Sequence, residues 1–153
     1  LIRRQRQMCI RDSSPIWWSD AWVVKLDSNG NIVWERTYGG SNWDSALAIA
    51  AAPDGGYIIA GYTESNDGNI CKNHGKEDVW IMKIDEVGNM IWQKTLGGSN
   101  EDIAYSIAVA PGGGYVVAGD TSSQDGDVSG WHEGYTSYDS PYPDFWIIKL
   151  GWK

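Results

Sequence analysis

The residues best suited to chemistry lie in a long polar loop, Ser122 to Asp144. Asp125, Asp127 and Ser129 precede Gly130 in the order D-x-D-x-S-G. Alternate oxygen-bearing side chains around a glycine turn are how a chain begins to wrap a hard cation such as Ca2+. The twelfth position, where an acid would close the cage, is Thr136. The expectation is a polar turn in which Asp and Gly end a strand, with Ca2+ as the alternative and no other cofactor. Beyond it, Trp131, Tyr135, Tyr138 and Tyr142 carry flat amphipathic rings. Such rings stack on sugars or on a partner peptide, or pack a loop onto its own sheet. Asp44 and Asp102 each follow a Gly-Gly-Ser-Asn run. They are candidate ligand contacts, but an acid recurring at one place in each copy suits a hydrogen bond to loop amides better than catalysis. His74 and His132 lack the clustered His, Cys or carboxylate partners of a zinc site and are expected to face solvent. There is no phosphate loop, nucleophile elbow or HExxH, so no catalytic residue is assigned.

These loops interrupt a sentence written twice. Residues 20–71 and 78–129 align without gaps, with about half the positions identical, and a third copy opens at Asp144 with DFWIIKL. Landmark tryptophans give the period: Trp22, Trp80 and Trp146, with the insertion TSYDSPYP lengthening the second interval. A repeat of this kind is one supersecondary unit that buries its apolar face only by stacking on a neighbour. The expected organisation is a segment 1–19 outside the fold, repeats at 20–77 and 78–143, and the start of a third at 144.

Each copy holds four short runs rich in Val, Ile, Trp, Tyr or Thr, in the first copy Trp22–Leu26, Ile32–Thr37, Ser45–Ala52 and Tyr57–Thr63. Gly, Asn, Asp and Pro bound them, which reads as strands and tight turns. No run shows a convincing helical period. Four strands per repeat predict an all-β chain of antiparallel four-stranded blades in a partial β-propeller. One run alternates small and larger residues, Ser45-Ala-Leu-Ala-Ile-Ala-Ala-Ala52 and Ile103-Ala-Tyr-Ser-Ile-Ala-Val-Ala110. Small side chains suit a strand near a crowded axis. The recurrent Trp22, Trp34, Trp80, Trp92 and Trp146 are expected to pack between blades.

The run DGGYIIAGYT, a loop, and then DVWIMKIDEVGNMIW resembles kelch-type propeller blades. It is also similar to a repeat of secreted or surface-anchored bacterial proteins of the form DxWxxKLDxxGNxxWxxTxGGSxxDxA. The likeness spans residues 20–150. It implies an alanine-rich innermost strand and nine strands in all: two outer strands of one blade, one whole blade and three strands of another. Closure needs at least four blades, so the chain is expected to be a fragment whose first partner is the rest of its own propeller, with assembly from copies of itself as the alternative. The resemblance implies a non-catalytic scaffold, extracellular or on the cell surface, binding a protein or glycan through its long-loop face. The alternative is a propeller domain of a larger enzyme, glycan-active or quinone-dependent, with its catalytic residues elsewhere. Trp34 and Trp92 after a Gly turn faintly resemble the blade motif of quinoprotein dehydrogenases, but the spacing departs from it.

Charge narrows the partners further. The formal net charge is −8 over 153 residues, and four of the five arginines fall within the first 11. The repeat body is therefore strongly acidic, which argues against nucleic acid and anionic membranes as partners. No run approaches the length of a membrane span. The opening LIRRQRQMCIRDS lacks the apolar core of a secretory leader, and RQMCIRDS resembles a translated sequencing adapter. Cys71 aligns with Ser129, so no structural disulfide is expected.

Overall fold

The computed structural model describes residues 18–130 and 143–151. Nine strands are found among them, and no helix. They are β1 (Ala21–Leu26), β2 (Ile32–Tyr38), β3 (Asp44–Ala51), β4 (Tyr57–Thr63), β5 (Asp78–Ile84), β6 (Met90–Leu96), β7 (Asp102–Val109), β8 (Tyr115–Thr121) and β9 (Asp144–Leu150). They form three antiparallel sheets in the orders β1-β2, β3-β4-β5-β6 and β7-β8-β9. All-β architecture with this strand allocation is what the repeat predicts. Each sheet is a simple meander: tight turns join β1 to β2, β3 to β4, β5 to β6 and β7 to β8, while longer loops lead from β4 to β5 and from β8 to β9. In the β1–β2 turn Asp27 Oδ1 accepts the amides of Asn29 and Asn31. Asp85 does the same for Val87 and Asn89 in the second copy. Those bonds hold both exposed carboxyls below their ordinary pKa, the Asn31 side-chain bond leading for Asp27 and the Asn89 amide for Asp85.

The sheets stack side by side, and β5 shows why they must. Its side chains alternate, as any strand's do. Val79 and Ile81 join one apolar cluster with Ala104, Val117 and Trp146 of the third sheet. Trp80, Met82 and Ile84 join a second cluster with Ala21, Val23 and Tyr38 of the first sheet. Every residue of β5 is buried. The middle sheet is thus apolar on both faces and has a sheet on each. β3 and β7, the alanine-rich strands, lie at sheet edges, and β7 packs against β3 and β4 more closely than against β5. Small residues permit that approach.

Two close passages fix the geometry. The β3–β4 register skips Leu47, and the β7–β8 register skips Tyr105, so each alanine-rich strand carries a bulge. Opposite them sit Gly61 and Gly119, where an added Cβ would stand 1.8 Å from the Ser45 carbonyl and 1.9 Å from that of Ile103.

Of the tryptophans expected between repeats, Trp80 is fully buried and Trp34, Trp92 and Trp146 are packed against the two clusters. Trp22 departs from the expectation. It lies on the outer face of the first sheet and is mostly exposed, since no sheet formed by the described residues covers that side.

Candidate functional site

The register places the start of β3, the end of β4 and the start of β5 at one end, through Asp44↔Thr63 and Thr63↔Asp78. The loops 39–43, 64–77 and 97–101 and the described residues 122–130 therefore share that end. The tight turns between β1 and β2, β3 and β4, and β5 and β6 close the other.

Asp44 and Asp102 are buried beneath these loops. Asp102 Oδ2 accepts the Gly98 amide and the Ser123 hydroxyl, both at 2.8 Å, and Oδ1 accepts the Thr121 hydroxyl. Asp44 takes the amide of Gly40 and the hydroxyls of Ser65 and Thr63 in the same way. As ligand contacts both are poorly placed, because burial shields them and their oxygens already have donors. They pin the Gly-Gly loop, which is the hydrogen-bonding role expected of a repeated acid.

Asp125 is a second pin. Its Oδ1 accepts the Ser99 amide at 2.7 Å, as Asp67 Oδ1 accepts that of Ser41. The Asp127 amide donates to Gly97 O, and Ser129 is exposed. The half-motif D-x-D-x-S-G thus ties one loop to the next, and among the described residues no cluster of three or more His, Cys, Asp or Glu is poised around an ion. Trp131, His132, Tyr135, Tyr138 and Tyr142 lie outside the described residues.

Sequence reasoning missed a junction between sheets. Asp78 (second sheet) and Asp102 (third) approach the same glycine: a Cβ on Gly97 would stand 2.7 Å from Asp78 Oδ1 and 2.6 Å from Asp102 Oδ2. Gly39 lies in the same way between Asp20 and Asp44. A backbone bond closes each junction, Asp102 N to Glu77 O at 2.6 Å and Asp44 N to Ser19 O at 2.7 Å. Asp78 Oδ2 accepts the His74 amide at 2.8 Å and lies 2.5 Å from its ring Nδ1. His74 is accordingly partly buried and paired, not solvent-facing as expected, because the 64–77 loop folds its ring back onto the start of β5. Asp78 Oδ1 is buried with no hydrogen-bond partner.

Burial raises the pKa of Asp20, Asp44 and Asp78, with a neighbouring carboxylate adding to it in each case. A raised folded-state pKa means the folded chain binds protons more tightly than the unfolded chain. The stability these groups contribute is full below the unfolded value and is lost as pH rises through the folded one. The melting temperature is therefore expected to rise as pH falls from 7 to about 4.5, the region just above ordinary carboxyl values. Below that range the trend reverses, because Asp27, Asp54 and Asp85 have lowered pKa values. Asp78→Asn keeps an oxygen for His74 and turns a donor toward Asp102. It is expected to melt no lower than the parent at pH 7 and to show a smaller gain on acidification. A large loss of stability at pH 7 would show that the charge of Asp78 is needed.

A cleft of about 310 Å3 opens between the second and third sheets at this end, lined by Cys71, Lys72, His74, Gln93, Lys94, Thr95 and Asp127. Cys71 is a free, exposed thiol. In an acidic chain the cleft brings two lysines together with one carboxylate. Nothing in the spacing of Lys72 and Lys94 announces this, since they meet only because β6 ends beside the 64–77 loop.

No family model matches the chain. Over 112 residues it is 28% identical to "Regulatory protein FlaEY" of Caulobacter vibrioides, a match covering 69% of this chain and 12% of that protein. The chain thus spans about an eighth of the relative's length.

Proposed function

We propose that the repeats are blades of a partial β-propeller, and that the segment is a non-catalytic scaffold that binds a protein or glycan through its long-loop end. The observation that carries this reading is the side-by-side stacking of meander sheets, with the alanine-rich edge strand β7 packed against β3 and β4 of the next sheet. Pinned loops support it. The repeated carboxylates Asp44 and Asp102 are spent on internal bonds, which hold the loops of this end in place. A secreted or surface setting follows from the resemblance of the repeats. Within the loop end, the cleft holding Lys72 and Lys94 offers donors to a ligand that bears acceptors, a carboxylate foremost.

The test is anisotropy of a labelled oligogalacturonide and of a labelled acidic peptide against the parent chain and Lys72→Glu/Lys94→Glu. One probe is expected to bind, and the double variant to weaken it at least tenfold, since charge-assisted bonds contribute roughly 1.5–3 kcal/mol each. Equal binding by parent and variant, or binding of neither probe, would remove the cleft as the site.

A further inference from the structure

The two outermost sheet faces of this chain are the two halves of an interface it already forms twice within itself. By repeat position, β1, β5 and β9 are the same strand. At both internal junctions the forward face of one such strand meets the backward face of the next: Ala21 and Val23 against Trp80, Met82 and Ile84, then Val79 and Ile81 against Trp146 and Ile148. Among the described residues two halves are left without a mate. The third sheet turns out Phe145, 77% exposed, where its equivalent Val79 is 1% exposed, and Ile147, 51% against 0% for Ile81. The first sheet turns out Trp22, 65% exposed where its equivalent Trp80 is 1%, and Leu26, 54% against 0% for Ile84.

We propose that the chain docks on second copies of itself head to tail, Phe145 and Ile147 of one copy meeting Trp22 and Leu26 of the next. Such a contact continues the interface already present at both internal junctions. The two open faces differ from each other, each matches a surface buried inside the molecule, and the partner each one has inside is what the opposite end presents. A heterologous contact of this kind propagates, closing into a ring if the rotation per sheet permits and otherwise extending. The inference rests on the observed stacking of sheets, not on the ligand or on ring closure.

The asymmetry gives a decisive experiment. Trp22→Asp spoils only the first face and Phe145→Asp only the last, and both positions are exposed enough to leave the fold intact, which circular dichroism of each variant checks. By sedimentation velocity the parent chain is expected to form species larger than a dimer as concentration rises. Each variant alone should be monomeric, and an equimolar mixture should form a one-to-one dimer and nothing larger. A parent that stays monomeric at 100 µM or so, a mixture that fails to pair, or single variants that still associate would each overturn the proposal. If either Asp variant loses its strand signal, Leu26→Glu and Ile147→Glu are mixed in its place and judged by the same outcomes. A single closed mass for the parent supports the propeller reading, and an open ladder of masses removes it while leaving the docking contact standing. Probe binding at the cleft is measured on the monomeric variants, so its failure is read separately.

Discussion

Asp102→Ala is expected to unfold the chain or bring it close to unfolding at room temperature. Asp102 is fully buried and is the acceptor for three donors: the Gly98 amide, the Thr121 hydroxyl and the Ser123 hydroxyl. Alanine leaves all three without an acceptor in a site closed to water. An unsatisfied buried polar group costs about 1–3 kcal/mol, so the loss is on the order of 3–5 kcal/mol after partial relaxation. A domain of this size has about 5–15 kcal/mol in hand, so a loss of that size takes a large share of it. Removing the Asp102 side chain also frees the 97–101 loop, so the junction with Glu77 loosens as well. Asp102→Asn is expected to fall between, because it keeps one acceptor and sets an amide among hydroxyls. Asp125→Ala is the informative control. Its carboxylate pins the neighbouring residue of the same loop, but from an exposed position where water replaces the lost acceptor. It should lower the urea midpoint by less than about 1 kcal/mol equivalent. Equal losses for Asp102→Ala and Asp125→Ala would mean that burial does not distinguish the two pins.

What could be read in the chain beforehand divides along physical lines. The strands were legible because they are local. Period-two alternation and glycine turns bracket Tyr57–Thr63 and set Ser45–Ala52 within a residue of the observed Asp44–Ala51. Face assignments were less legible, since they need a neighbour. Trp22 and Trp80 occupy the same place in the repeat, yet one is exposed and the other buried, because burial belongs to the sheet that lies opposite. The pins were half legible. T-x-S-x-D-G stands in both copies at 63–68 and 121–126, and an identity of that kind marks Asp67 and Asp125 as structural more directly than a calcium motif present in only one copy. His74 escaped because a search for metal ligands asks what clusters with a histidine. The relevant partner was a single carboxylate four residues on, brought close by the loop's own path. The recurrence of Asp20 and Asp78, like that of Asp44 and Asp102, marked these acids as structural groups, but not which of them meet. Asp78 and Asp102 are 24 positions apart and meet only across Gly97, once two sheets are stacked.

Gly61→Ala should be as damaging as the loss of Asp102, for a reason with no electrostatic part. Gly61 is buried in β4, paired with Ala46 on one side and Trp80 on the other. A methyl there would lie 1.8 Å from the Ser45 carbonyl oxygen and 2.8 Å from its carbon. The obstacle is backbone held by strand pairing, so no side-chain rotation relieves it. Either β3 separates from β4 at the bulge or the strand shifts, and overpacking of this severity costs about 3 kcal/mol or more. The comparison is Gly30→Ala, at a turn with φ 84° and nothing within 4 Å of the added carbon. Only the left-handed backbone opposes that change, at roughly 1–2 kcal/mol. Denaturant midpoints of the two variants should therefore differ clearly, with Gly61→Ala the lower. A neutral Gly61→Ala would mean that the extra residue at Leu47 is absent. Without it the pairing beyond that point moves by one residue and each β3 side chain past it changes face. Ala48 and Ala50 would then leave the cluster they share with Ile58 and Ala60, and the close approach of β7 to β3 that small residues permit would be lost.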